Sequence, residues 1–198
     1  MTVSNRARIR THPERAVPDE AEAILEKALL AHVGFAVDGQ PFVIPMLYLY
    51  EDNIIYIHGQ KEGRIARTLR AGDRVCIEVT IVDGLVTSRD ALYHTANYRS
   101  AVAFGTAREI TDRDEKERVL ERMTRRYFPG RTAGEHYRPP SDGDLKITGL
   151  MAVEIEEMNG KRRSGPPTGP ADADEGPDAF GTRGIVPVSP TGEVGLAT

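Results

Sequence analysis

The sequence predicts a mainly β chain of the α+β class, a small antiparallel barrel with flanking helices. Three observations predict it. Short stretches rich in β-branched residues recur between Phe35 and Met158. Turn signals separate several of them, above all Asp38-Gly39 and Glu51-Asp52-Asn53. Helical patterns stand before the first strand, between the middle strands and before the last one.

The elements follow in order. Residues 1–17 read as a polar arm. Pro18-Asp19-Glu20 opens a helix, because proline suits the first turn and acids favour the positive end of the helix dipole. Ala21, Ile24, Leu25, Ala28 and Leu29 keep helical spacing, and Gly34 is expected to end the helix. Phe35-Ala36-Val37 is a short strand; PFVIPMLYLY (41–50) and IIYIH (54–58) are two more. Pro45 removes a ladder donor, so it marks an edge, a bulge or a place where a ligand replaces pairing. Residues 63–70 read as a short helix. In RVCIEVTIV (74–82), Val75, Ile77, Val79 and Ile81 share one face, while Arg74, Cys76, Glu78 and Thr80 share the other. Residues 83–90 read as a turn or loop. The stretch 91–110 is long for one strand and predicts a bend or bulge near Ala96-Asn97. Thr111-Asp112 starts a helix reaching about Tyr127, with Val119, Leu120, Met123 and Tyr127 inward. Its charge run alternates in sign, as a solvated face does. Residues 131–145 read as a polar loop and 149–158 as a last strand.

The barrel domain is assigned to residues 1–159 and a tail to 160–198. The tail holds eight glycines and six prolines and few large apolar groups, which cannot support a core of its own. It is expected to run extended, packed on a dimer partner, with Phe180 and Ile185 to Val188 as anchors.

Bulk properties exclude several classes. Net charge is −4, so bulk charge does not favour nucleic acid. No apolar run approaches the roughly 20 residues of a membrane helix. The basic start MTVSNRARIRTH lacks the apolar stretch of a secretory signal. The one cysteine, Cys76, rules out an internal disulfide and fits a reducing cytoplasm, the expected location.

The stretch YIHGQKEGR (56–64) puts a histidine, two glycines and two cations where a strand gives way to a helix. One reading is an anion site, phosphate being the commonest anion: Lys61, Arg64 and Arg67 supply charge, and the N–H groups near Gly63 add to it. The other is a surface turn with solvated charges. His58 shares a strand face with Tyr56; it is either a hydrogen-bonded structural group or a donor able to move a proton near neutral pH. Asn97, Tyr98, Arg99 and Ser100 form a second polar cluster, either a solvated rim or a ligand contact. Cys76 reads as a half-buried thiol. The patterns GxxxxGK[ST], HExxH, paired CxxC, GxSxG and GxGxxG are all absent, which argues against Walker, zinc, hydrolase-elbow and Rossmann sites.

Taken in order, PFVIPMLY, IIYIHGQKEGRIARTLR and NYRSAVAFGTAREI resemble the FMN-binding split-barrel family of pyridoxamine 5'-phosphate oxidase-like proteins. Within it they look most like the nitroimidazole-resistance (Nim)-like flavoproteins. The resemblance covers roughly residues 8–160. It implies a six-stranded antiparallel split barrel and a homodimer with two FMN sites at the subunit interface. It implies that Lys61 and Arg64 hold the FMN phosphate. Pro45, Met46 and Leu47 would line the flavin ring. Tyr56, Ile57, His58 and Gly59 would run beside the cofactor, with His58 next to the flavin as the catalytic candidate. Tyr98, Arg99 and Ser100 would contact it, from the other subunit. Arg99 could stabilise the reduced anionic ring. The Arg-x-His stretch that ends the vitamin B6 oxidases has no match in the last forty residues, which speaks against pyridoxamine-phosphate oxidation itself.

The expected function is an FMN-dependent oxidoreductase acting on a small molecule, with nitro compounds as one substrate class and NAD(P)H as one donor. The competing readings are a flavin carrier or sensor, a haem-binding split barrel with His58 or His94 as axial ligand, and a dimeric interaction module.

Overall fold

The computed structural model describes residues 6–176, 179 and 181–188. Phe180, one of the tail anchors read from the sequence, lies outside the described residues.

All the named strands join one antiparallel sheet. β1 (Ala31–Val37) folds back on β2 (Gln40–Met46) across Asp38-Gly39, whose φ values of 50° and 79° are the left-handed pair a tight hairpin needs. β3 (Tyr48–Glu51) folds back on β4 (Ile54–Gln60) across Asp52-Asn53, again both at positive φ. β5 (Arg74–Thr87), β6 (Thr95–Glu109) and β7 (Thr148–Arg163) are long, and β8 (Gly184–Val186) is a short addition from the tail. The strand order is β2-β1-β5-β6-β7-β4-β3, with β8 paired to β5. β2 and β3 therefore lie at opposite edges, yet only Leu47 separates them in sequence. The sheet must curl until its edges meet at Leu47, with no ladder across the seam. That is a split barrel, as expected.

Among the described residues the strand count is eight rather than six. The 41–50 stretch breaks at Leu47, and the tail contributes β8. Several boundaries also move. The first helix, α1 (Ala21–Lys27), ends before Gly34, which sits inside β1. A Cβ at Gly34 would lie 3.3 Å from the Cys76 carbonyl oxygen, so the glycine answers close strand packing, not a helix stop. β5 runs through 83–87, where a turn or loop was expected, because β6 pairs with Gly84 to Val86 on one side and β8 with Leu85 to Thr87 on the other. Its register shifts between Val82 and Gly84, so the irregularity expected near Ala96-Asn97 falls on the strand opposite. β7 continues past Met158 to Arg163. Residues 142–147 form a short helix rather than loop, announced by a Ser141–Asp144 capping box.

Two apolar clusters hold the fold. Inside the curl, Ile55, Ile57, Ile77 and Val79 meet Ile24 and Leu25 of α1 and Ala66 and Leu69 of α2 (Arg64–Arg70). On the outer face of β3, β4 and β7, Leu49, Leu150 and Ala152 meet Val119 and Met123 of α3 (Arg113–Tyr127). Asp112 caps α3 by accepting from the Glu115 N–H at 2.8 Å, worth about 1 kcal/mol. The 142–147 helix, α4, follows it. A clasp fixes the seam. Tyr48 is fully buried and its hydroxyl donates to the Leu25 and Ala28 carbonyls. The Arg126 guanidinium lies 4.7 Å from its ring centroid and donates to Ala28 O at 2.8 Å.

Candidate functional site

The residues of interest gather where β2 ends, β4 ends and α2 begins. Pro45 is exposed on the edge strand, opposite His32. Its missing N–H costs nothing there. Met46 turns inward, and its Cε would stand 3.8 Å from a Cβ placed on Gly59. Leu47 is 39 % exposed at the seam. The edges of the sheet thus bring Met46 to Gly59 although β2 and β4 share no hydrogen bond.

Strand alternation divides the Tyr56 to Gly59 run. Ile57 is buried in the barrel core, and its backbone lies between β3 and β7, opposite Tyr48 and Met151. Tyr56 and His58 point to the outer face; Tyr56 packs there with the α3 cluster. His58 is solvent-accessible yet crowded enough that burial lowers its pKa below the usual histidine value. The shift favours the uncharged ring at neutral pH.

Gly63 has a local reason: a Cβ there would stand 2.9 Å from the Gln60 carbonyl oxygen, which accepts the Gly63 N–H. The cations after His58 are the informative part. Among the described residues, Lys61, Arg64 and Arg67 have no carboxylate within ion-pair distance, whereas Arg70 is gripped by both oxygens of Glu109. Arg64 lies over the Phe42 ring at 4.3 Å. Lys61, two residues past Gly59, also lines a second space, a cleft between the β4–α2 turn, α3 and α4.

The second polar cluster is remote. Arg99 pairs with Arg162 on β7 and His58 with Leu150. Those two β7 positions are separated by roughly 40 Å of strand path. Arg99 makes a two-point contact with Asp83, at 2.9 and 2.5 Å, at the β5 bulge. Tyr98 sits beside it, half-buried, opposite Arg163. Ser100 borders a small cleft with Ala7, Asn159 and Lys161. One chain does not bring Tyr98, Arg99 and Ser100 to His58.

His94 is exposed on the turn between β5 and β6, beside Leu92 and Tyr93, which also face solvent. Its Nδ1 is 3.3 Å from the Ala91 carbonyl oxygen. Cys76 is half-buried, and burial raises its thiol pKa, which keeps it un-ionised. Among the described residues no group of three His, Cys, Asp or Glu side chains is placed to hold a metal. No described helix is long and apolar enough to cross a membrane.

Sequence reasoning missed Lys116. The alternating charge run of α3 reads as solvated, yet Lys116 is only 6 % exposed. The signal was its spacing: Lys116, Val119 and Met123 form one helical stripe.

Comparison with solved structures places this architecture. A flavocytochrome, Anf3 from Azotobacter vinelandii, is 31% identical with a TM-score of 0.81, covering 94% of this chain and 85% of that one. An FAD and haem binding protein from Mycobacterium smegmatis is 32% identical with a TM-score of 0.77, covering 87% and 83%. A Bacteroides thetaiotaomicron protein provisionally assigned to 5-nitroimidazole antibiotic resistance is 25% identical with a TM-score of 0.62, covering 74% and 85%. No curated protein matches. The sequence profile of the pyridoxamine 5'-phosphate oxidase family matches residues 18–162, and the chain belongs to that family.

Proposed function

We propose that this protein binds a flavin, FMN in the first instance, and acts as an oxidoreductase on a small molecule. The observation that carries the reading is the set of cations without carboxylate partners among the described residues: Lys61 just past Gly59, Arg64 over Phe42 of β2, and Arg67 one turn further along α2. Unpaired cations suit a phosphate. An open seam between two sheet edges, lined by apolar side chains, suits a ring. A bound flavin supplies the electron-transfer chemistry. The chain supplies the rest. Lys61 and Arg64 anchor the phosphate. Pro45, Met46 and Leu47 shield one side of the ring from water. His58, uncharged at neutral pH, offers a hydrogen-bond donor or acceptor beside it. Nitro compounds are the first substrate class to test, given the likeness to the Bacteroides protein, with reduced nicotinamide as the donor.

The site is proposed to be completed in a homodimer. Within one chain Tyr98, Arg99 and Ser100 lie far along the β6–β7 ladder from His58, so joining them requires a second copy. Leu29, Leu30, Val43 and Leu47 are exposed apolar groups that such an interface would cover.

A specific observation favours a second cofactor. Two structures near one-third identity, over most of both chains, are described as a flavocytochrome and as an FAD and haem binding protein. His94 fits the role of axial ligand: an Nδ1–H held by the Ala91 carbonyl would leave Nε2 for iron, beside the apolar Leu92 and Tyr93.

The test is the visible absorbance spectrum of protein purified without added cofactor, repeated after adding FMN. Flavin bands that shift on binding support the main reading. A Soret band lost in His94→Ala supports the second. No bound chromophore in either spectrum rejects both.

A further inference from the structure

The cleft that Lys61 lines has about 240 Å³ of free volume and is walled by Thr111, Arg113, Lys116, Asp142, Leu145 and Lys146. Four of these seven walls, counting Lys61, are cations. The one acid, Asp142, is already held by Arg113 at 2.8 Å, and Arg113 also meets Glu117 and Asp114. Among the described residues no carboxylate lies within ion-pair distance of Lys61, Lys116 or Lys146.

Lys116 is the unusual member. Its side chain is buried, and its Nζ donates to the carbonyls of Leu145 at 3.0 Å and Thr148 at 2.8 Å. An ammonium has three N–H donors, so one remains without a protein acceptor among the described residues. Burial pushes its pKa down, Glu109 pulls it up, and Lys61 and Arg70 push it further down. A buried ammonium facing two more lysines, with Glu109 acting on it only from beyond ion-pair distance, is unfavourable unless something negative joins it.

We propose that this cleft is a phosphate-binding site separate from the one that anchors the flavin phosphate. Lys116 supplies the buried donor, Lys146 the flanking charge, and the Thr111 hydroxyl a further donor at the mouth, while Lys61 stands at the turn between this cleft and the flavin anchor. The ligand class is a phosphate or phosphate ester. The cleft volume admits such a group with its bound water, and lysines bind phosphate as point charges without a fixed fork. Its source is either a free phosphate compound or the second phosphate of a dinucleotide.

The test is calorimetric titration of the full chain with inorganic phosphate, alone and saturated with FMN. One phosphate per chain, sensitive to Lys146, should bind in both states, beside any that the open flavin anchor takes up in the unliganded chain. Lys146→Gln, at an exposed position, should weaken binding about tenfold, the loss of one charge-assisted contact. Lys116→Met should abolish it. Lys27→Gln, which removes a distant exposed charge, should leave it unchanged. Absence of saturable binding, or equal effects of Lys146→Gln and Lys27→Gln, overturns the proposal. So does loss of the Lys146-sensitive phosphate on saturation with FMN, which would seat the flavin's own phosphate here. If FAD removes the phosphate site while FMN leaves it, the occupant is the dinucleotide's second phosphate; if both leave it, a free phosphate compound. A chain that binds no flavin still reports on the cleft through the unliganded arm.

Discussion

The hydroxyl of Ser88 donates to the carboxylate of Asp172 at 2.6 Å, across a gap of more than eighty residues in sequence. Asp172 is 2 % exposed and also accepts the N–H groups of Arg89 at 2.9 Å and Gly169 at 2.8 Å. Ala171 N–H reaches Asp90 at 2.8 Å. These bonds latch the start of the tail to the end of β5, and β8 then pairs with the same strand. The tail that composition marks as coreless is thus fastened to its own chain over 169–174 and 184–186.

The latch makes a prediction. Asp172→Asn keeps the volume but replaces an acceptor oxygen with an NH₂ group that cannot serve three donors. Limited proteolysis should then cut within 165–188 markedly faster, while the barrel survives intact. An unchanged cutting rate would mean that β8 pairing alone holds the tail. The pH dependence has a definite sign. Burial alone would raise the Asp172 pKa, but the hydrogen bonds from Arg89, Ser88 and Gly169 outweigh it and the net shift is down. Its contribution is therefore present above the unfolded carboxylate value, about 3.9, and fades as pH falls through the folded one.

His58 gives the same sign at higher pH. Its folded pKa is lowered by burial, so the unfolded chain binds the proton more readily. Stability should fall as pH drops below about 6.5 and level off once the folded ring is also protonated. Urea midpoints measured from about pH 7 to 5 should therefore decline, and the decline should shrink in His58→Asn. An NMR titration placing His58 at or above the free-histidine value would contradict the desolvated position.

Much of the fold was legible because its signals are local. Turns at Asp38-Gly39 and Asp52-Asn53 need left-handed backbone, and the sequence supplies residues that tolerate it. The inward face of β5 follows from simple alternation. The misread parts depend on distant partners. Gly34 reads as a helix stop until Cys76 is known to lie against it. Leu47 reads as mid-strand until the two sheet edges are seen to converge on it. Lys116 reads as solvated until Leu145 and Thr148 supply its acceptors. The cations after His58 were legible as a cluster, but their lack of carboxylate partners is a tertiary fact. So is the distance of Arg99 from them.

The seam depends on Tyr127. Its hydroxyl accepts the Tyr48 N–H at 3.0 Å and lies 2.8 Å from Tyr48 O and 3.1 Å from Leu29 O. One group thereby ties the end of α3 to the start of β3 and to the segment after α1. Tyr127→Phe keeps the ring and leaves the Tyr48 N–H without an acceptor. The expected cost is about 2 kcal/mol in urea unfolding, with an unchanged m-value. A loss under about 0.5 kcal/mol would show that water or a neighbour replaces the hydroxyl.

Arg64 separates phosphate recognition from ring recognition. Its guanidinium lies over Phe42, a contact worth about 0.5–1 kcal/mol at an exposed site, so replacing it should cost the fold little. Arg64→Gln should nonetheless weaken FMN binding about tenfold, the value of one charge-assisted hydrogen bond to phosphate. Riboflavin carries the same ring without the phosphate, so its affinity should be unchanged by the substitution. Fluorescence titration of both ligands against both proteins gives the comparison directly. Equal losses for FMN and riboflavin would place Arg64 against the ring rather than the phosphate. No loss for either would remove it from the site and leave the phosphate to Lys61 and Arg67.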